Sequence, residues 1–297
     1  MSICLSNNLF WRIFEYCFCL DRNLNAPLAI SLKWGLLAKQ HGDRILVWDL
    51  FAHQELWQLE GHYGGARTMI LLRDEETLVT GGQDGTVKMW NLLNGEKLAT
   101  FEFGQRIEAV AISADARILA TSDFKTILIL NLKTNQIYTL AEMDWGDACY
   151  VLALSPNGEM LVSGNFRDLT VWSVLNREIL YKNEHHGSGS DSWTQVFCGF
   201  DGKTFYKSDR ENIEVKELLT GDLVRSVQRH YKQTYKPLIF LDGRIFMSVN
   251  EEKHIKIWNF TTDETWFVMD RDRGKDATID ILCNGQKLFK GKMLCPS

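Results

Sequence analysis

Residues 60–103 read EGHYGGARTMILLRDEETLVTGGQDGTVKMWNLLNGEKLATFEF. Four apolar-rich runs are separated by short stretches of Asp, Glu, Gly and Asn, the punctuation of strands joined by hairpins. Asp84-Gly85 and Asn94-Gly95 suit tight turns that need a positive φ. Four strands in one meander cannot bury both faces of their sheet alone. Such a unit must stack on copies of itself.

Copies are present. ILVWDL, VKMWNL, ILILNL, LTVWSV, IEVKEL and IKIWNF align from Ile45 to Phe260. Their dipeptides Trp48-Asp49, Trp90-Asn91, Leu130-Asn131, Trp172-Ser173, Lys216-Glu217 and Trp258-Asn259 follow at 42, 40, 42, 44 and 42 residues. A four-stranded unit at this period predicts an all-β chain folded as a β-propeller. Full blades are expected near 66–101, 107–140, 149–182, 193–227 and 235–268. Two strands at the start (45–48 and 55–59) and two at the end (277–283 and 286–291) predict a sixth blade shared between the chain ends. Such a blade would clasp the ring and remove its open edge. A seven-bladed ring stays open if 28–30 and 35–37 are strands and the last blade is incomplete.

These residues resemble the WD-repeat family over roughly 41–291. The unit at 60–91 matches best, with Gly61-His62 before the first strand, Thr80 in the second, Asp84 in the hairpin turn and Trp90 in the third. The resemblance implies a buried hydrogen-bond chain through Trp90, Thr80, His62 and Asp84, so His62 and Asp84 are expected to be structural rather than catalytic. A buried polar network is tolerable only when every member is satisfied. Leu130 and Lys216 replace the Trp, and Trp145-Gly146 stands where Gly-His is expected. The network is therefore expected in one blade, with apolar packing in the others.

The first forty residues do not fit the repeat. Leu5, Leu9 and Ile13 fall at i, i+4, i+8 on one helix face, and Asn7, Asn8, Asp21 or Asn23 could cap short helices. The stretch resembles an F-box in Leu5, Leu9, Ile13-Phe14, Tyr16, Leu24 and Lys33-Trp34, while Ser6, Asn8 and Cys17 depart from its Pro, Glu and Leu. Domains are accordingly drawn as an α-helical F-box-like segment at 1–40 and a propeller at 41–297. The resemblance implies that Leu5, Leu9, Phe10, Ile13, Phe14, Tyr16, Leu24 and Trp34 bind a Skp-type adaptor of a cullin–RING ubiquitin ligase. The alternative is a helical cap packed on the propeller.

Composition narrows the function. Thirty-three basic and thirty-eight acidic side chains give a net charge of −5, and no run of Lys/Arg exceeds two, which argues against nucleic acid. No apolar stretch is long enough to span a bilayer, and Arg12 and Glu15 interrupt the greasy run at 9–20, so neither a membrane span nor a signal peptide is expected. Seven cysteines (Cys4, Cys17, Cys19, Cys149, Cys198, Cys283, Cys295) make no CxxC, as expected of reduced core thiols in a cytoplasmic protein. His185-His186 with Asp191 lacks a third ligand at metal spacing, and no phosphate loop, GxSxG or HExxH occurs. No enzyme, metal or cofactor is expected.

Binding at loops around the propeller axis is the use that remains. The candidate rim is Tyr63, Arg106, Trp145, Phe166, Arg167, Arg210, Tyr231, Tyr235 and Arg271, because Arg and aromatics anchor interfaces. Trp193 belongs to the rim or to the core. The expected function is a protein-interaction module. It would be a substrate receptor joining an unidentified target to a Skp–cullin–RING ligase, or a WD-repeat scaffold with no ubiquitin link.

Overall fold

The computed structural model describes residues 28–31, 33–52, 54–143, 149–165, 168–184, 195–199, 201–208 and 212–228, and beyond these the backbone of six strands between 238 and 294. The described residues form six antiparallel sheets, each a meander in chain order, and include no helix. Sheet 1 is β1 (Leu28–Ser31), β2 (Leu36–His41), β3 (Arg44–Asp49) and β4 (Gln54–Leu59). Sheet 2 is β5 (Ala66–Leu71), β6 (Thr77–Gly82), β7 (Thr86–Asn91) and β8 (Lys97–Glu102). Sheet 3 is β9 (Ala109–Ile112), β10 (Ile118–Ser122), β11 (Thr126–Asn131) and β12 (Gln136–Glu142). Sheet 4 is β13 (Val151–Leu154), β14 (Met160–Gly164), β15 (Asp168–Ser173) and β16 (Glu178–Glu184). Sheet 5 is β17 (Gln195–Cys198), β18 (Thr204–Ser208), β19 (Asn212–Glu217) and β20 (Leu223–Gln228). Sheet 6 has six strands: β21 (Leu238–Phe240), β22 (Ile245–Val249), β23 (Ile255–Asn259), β24 (Glu264–Asp270), β25 (Asp276–Cys283) and β26 (Gln286–Leu294).

The five full units expected from 66 onward coincide with sheets 2 to 5 and the first four strands of sheet 6. The expected shared blade does not form. Sheet 1 is already complete, because β1 and β2 pair ahead of β3, with Leu28 opposite Lys39 and Leu37 opposite Trp48. The two C-terminal strands extend sheet 6 instead, with β25 on β24 at Trp266 opposite Cys283. The domain boundary drawn at 40/41 therefore falls inside β2, and Leu28 and Ile30, grouped with the helical segment but also offered as a strand in the seven-bladed alternative, lie in a strand. The physical reason is burial on both faces. Leu36, Leu37, Ala38 and Lys39 are all buried, so β2 has no alternation by which a strand is told from a helix. Residues 1–27, including the expected helix stripe, lie outside the described residues.

The first strands of consecutive sheets lie against one another, β1 on β5, β5 on β9, β9 on β13 and β13 on β17. Second strands are sandwiched and almost wholly buried, as β6, β10 and β14 show, whereas the outer strand β8 is exposed at alternate positions. The core is consequently divided into layers between sheets. Leu36, Ala38, Ile45 and Val47 of sheet 1 meet Leu78 and Trp90 of sheet 2. Val79 and Val87 of sheet 2 meet Val110, Leu119 and Leu130 of sheet 3. Ala120, Ile127 and Ile129 then meet Leu161 and Trp172, and Val162 and Val171 meet Val196 and Phe205.

In sheets 1 to 3 the second residue of the repeated dipeptide closes the turn that follows. Asp49 Oδ1 accepts from the amides of Phe51 and Ala52 at 2.7 and 2.8 Å, and Asn91 and Asn131 do the same for Leu93 and Lys133. A second device links neighbouring sheets at these turns. Trp57 of β4 donates its indole N–H to Leu92 O at 3.1 Å. Tyr138 of β12 donates to Val174 O at 3.2 Å, and Tyr181 of β16 to Glu217 O and Leu218 O at 3.2 and 3.3 Å. All three occupy one register position, opposite Val47, Ile129 and Val171. Gly221, at φ +77°, makes room for the Tyr181 ring, since a Cβ there would lie 2.7 Å from Cε2. In sheet 2 the position is Ala99, opposite Met89, and carries no donor.

Tyr138→Phe and Tyr181→Phe are each expected to lower the free energy of unfolding by about 1 kcal/mol, the net value of one hydrogen bond. Urea midpoints at constant slope measure this. The two losses should add, because the hydroxyls share no partner.

Candidate functional site

The antiparallel meander puts the entry to each first strand and the turn between second and third strands at the same end of the sheets. Two constellations lie there. The first is the network at sheet 2. Trp90 Nε1 donates to Thr80 Oγ1 at 3.1 Å, Thr80 Oγ1 is 2.8 Å from His62 Nε2, and His62 Nδ1 is 2.9 Å from Asp84 Oδ1. A carboxylate can only accept, so the imidazole proton sits on Nδ1. Nε2 then accepts from the Thr80 hydroxyl, which in turn accepts from Trp90, and every group is satisfied with His62 neutral. Burial pushes His62 below its ordinary value and outweighs the upward pull of Asp84. Burial alone would raise the Asp84 carboxyl, but hydrogen bonds from His62 and Thr86 together hold it below the ordinary range. Gly82 is required, since a Cβ would lie 2.2 Å from His62 Cγ.

Thr80 faces Lys88 in the strand register, and the corresponding pairs are Thr121 with Leu128, Ser163 with Thr170, Lys39 with Leu46 and Lys207 with Glu214. Sheet 4 keeps half of the network, with Trp172 Nε1 donating to Ser163 Oγ at 2.7 Å. That corrects the expectation of purely apolar packing outside sheet 2. In sheet 5, where Lys216 takes the Trp place, Glu214 and Lys216 form an ion pair at 3.6 Å.

The second constellation joins sheets 2, 3 and 4. Glu108, just before β9, is buried, with its side chain only 4% exposed. Arg67 of β5 reaches its Oε2 from Nη2 at 3.0 Å, and Arg106 bridges its Oε1 through Nε. Both guanidinium side chains remain about two-fifths exposed, at 40% and 39%. Arg106 lies over the Phe124 ring at 5.0 Å, and Tyr150 meets Phe124 edge-on at 5.9 Å and 72°. Backbone bonds fix these loops, Ile107 N to Gly82 O at 3.0 Å and Glu108 N to Ser122 O at 2.8 Å. Tyr63, the most exposed large hydrophobic side chain among the described residues at 84%, stands at the same end beside His62.

Of the rim expected from sequence, Tyr63 and Arg106 are thus at this end. Trp145, Phe166, Arg167, Arg210, Tyr231, Tyr235 and Arg271 lie outside the described residues, as do Trp193 and the His185-His186 pair. Leu5, Leu9, Phe10, Ile13, Phe14, Tyr16 and Leu24 lie outside them too. Trp34 sits in the turn between β1 and β2, with Lys33 Nζ 4.8 Å from its ring and bonded to Glu76 of sheet 2 at 3.2 Å. It is part of the first blade. Arg67, Glu108, Phe124 and Tyr150 were not singled out by sequence, because nothing along the chain marks residues that converge from three sheets. Cys149 and Cys198 are free thiols, and burial pushes both up, Cys149 to about 11. No group of metal-binding side chains occurs among the described residues.

The unfolded His62 imidazole takes a proton below about pH 6.5, which the native ring resists. The unfolded state then binds more protons, so stability is expected to fall as pH drops below that value. Asp84 adds a further loss below its unfolded value of about 3.8. His62→Gln should be less stable at neutral pH and should lose the His62 part of the slope between pH 6.5 and 5, as read by urea unfolding across pH.

The WD domain, G-beta repeat family matches residues 53–91, which cover the His62 network and little else. Among curated proteins, the chain is 26% identical over 170 residues to "Cross-pathway control WD-repeat protein 2" of Flammulina velutipes, covering 54% of this chain and 51% of that one. It is 23% identical over 170 residues to "Small ribosomal subunit protein RACK1" of Neurospora crassa, covering 54% and 52%. The chain thus spans about half the length of these relatives. Among solved structures, the β-propeller domain of Myceliophteria thermophila Cps50 (Swd1) superposes with a TM-score of 0.65 at 13% identity, covering 86% of this chain and 92% of that one. The chain is a β-propeller, its sheets four-stranded except for the six-stranded last one, and it carries a WD repeat.

Proposed function

We propose that this chain is a non-catalytic protein-interaction scaffold that receives a partner at the end of the propeller bearing Arg67, Arg106, Phe124 and Tyr63. The observation that carries this reading is the pair of partly exposed arginines anchored on the buried Glu108 carboxylate, with Arg106 lying over Phe124. Arg and aromatic side chains held rigid by their neighbours lose little entropy on binding and bury much area. Among the described residues, the histidine and thiols best suited to catalysis are engaged otherwise. His62 and Asp84 satisfy each other, the Cys149 thiol is buried, the Cys198 thiol is partly buried, and desolvation raises both. Reduced buried thiols suit the cytoplasm, where the proposal places the chain.

A test is capture of partners by chemical crosslinking in a lysate. Phe124→Ala with Tyr63→Ala is expected to remove most captured species, and Lys133→Glu, on an exposed turn at the opposite end, to leave them. Equal capture by all three proteins would overturn the reading.

The more specific reading, in which residues 5–24 hold a Skp-type adaptor and make the propeller the substrate receptor of a ubiquitin ligase, is supported by the sequence register of Leu5, Leu9, Ile13-Phe14 and Tyr16. Its Lys33-Trp34 end is taken up by the first blade. Pull-down with a purified Skp-type adaptor separates it from a plain scaffold. Retention that is lost in Leu9→Asp/Ile13→Asp is expected if the receptor reading holds, and no retention of the intact chain overturns it.

A further inference from the structure

The Arg67–Glu108–Arg106 cluster has a charge balance that selects a class of ligand. Two guanidiniums share one buried carboxylate, so the cluster carries one excess positive charge. Glu108 Oε2 accepts from Arg67 Nη2, while Oε1 faces Arg106 Nε as an ion pair without a hydrogen bond of its own. Glu108 therefore acts as a fixed support and not as a free anion. Among the described residues, the Arg67 side chain hydrogen-bonds only to Glu108 and the Arg106 side chain makes an ion pair but no hydrogen bond, and both side chains reach solvent. A guanidinium has five N–H donors in a planar fork, so each has donors left over. Phe124 fixes the plane of the Arg106 fork from one side, and Tyr150 braces Phe124 edge-on. The nearest other acid on this loop, Asp123, turns its Oδ1 onto the amides of Lys125 and Thr126 at 2.7 and 2.6 Å.

From this geometry we infer that the cluster binds the carboxylate of an Asp or Glu side chain in an exposed segment of a partner protein, with an apolar neighbour of that residue resting on the 40%-exposed Phe124. The inference rests on the interaction-scaffold reading and names the chemistry of that site. One excess charge matches a monoanion, whereas a phosphorylated side chain carries close to two charges. The net charge of −5 on the whole chain makes this a local recognition with little long-range attraction of acidic partners. Bidentate pairing of Arg with carboxylate supplies the directionality.

The test uses the full chain, immobilised, and four pools of random short peptides with a fixed central Glu, Gln, Lys or phosphoserine. The Glu pool is expected to be retained roughly tenfold better than the Gln pool, the scale of a charge-assisted hydrogen bond, and the Lys pool least. High salt should reduce the difference. Arg67→Gln should remove most of it while leaving the chain folded by circular dichroism. Should that variant unfold, Phe124→Ala must lower retention of the Glu pool at unchanged fold. Equal retention of Glu and Gln pools overturns the inference, as does a preference for the phosphoserine pool or a Glu preference unaffected by a folded Arg67→Gln or Phe124→Ala. If the pools do not discriminate but lysate capture still depends on Tyr63 and Phe124, only the acid preference falls. If neither occurs, the scaffold reading falls with it.

Discussion

The structure depends on strands that are buried on both faces. β6, β10 and β14 each lie in the middle of a sheet and also between two sheets, so their side chains have no solvent face in either direction. A single sheet cannot supply that burial. Leu78 and Trp90 are core residues only because sheet 1 covers them, and Val79 and Val87 because sheet 3 does. Stability is thus held at junctions between neighbours, and the turns that cross them carry its directional part. Trp57, Tyr138 and Tyr181 each tie one outer strand to the next sheet's turn, adding a directional bond to the apolar contact between layers.

Within that frame one register position shows how much polar chemistry a junction tolerates. It holds Thr80, Thr121 and Ser163 in sheets 2 to 4, and Lys39 and Lys207 in sheets 1 and 5. Among the described residues, only sheet 2 has a Trp, a Thr, a His and an Asp to complete the chain of bonds, and there the histidine is buried and neutral. Sheet 3 removes the donor by placing Leu130 in the Trp place and fills the volume with hydrocarbon. Sheet 5 places Lys216 there and pairs it with Glu214. Three local solutions serve the same backbone, which is why a repeat so uneven in sequence remains even in topology.

The parts of the fold that were legible are those written locally. Turn residues beside alternating strands marked sheets 2 to 5, and Gly85 and Gly95 hold the positive φ their turns demand. Sheet 1 was half illegible because Leu36, Leu37 and Ala38 form a doubly buried run with no period to read. The His62 network could be named residue by residue, since its members fall within one repeat. The arginine cluster could not. Arg67 and Glu108 are 41 residues apart, about one full repeat, and each alone is an ordinary surface charge. They meet because position equivalence between adjacent sheets places them on neighbouring first strands, and no pattern within a repeat announces a pair formed between repeats.

That same spacing separates recognition from stability. The ends of first strands sit where adjacent sheets come closest, so charged side chains there converge from different repeats without entering the layers beneath. Glu108 is the link between the two regions. Its backbone amide is bonded to Ser122 O inside the blade, and its carboxylate orders two arginines outside it. A buried carboxylate without its partners would be costly, so the arginines cannot drift far from it, and their remaining donors are presented in nearly constant positions. The propeller thereby holds a charged surface still with a buried charge, and loop sequence can change around it without disturbing the junctions that keep the sheets together.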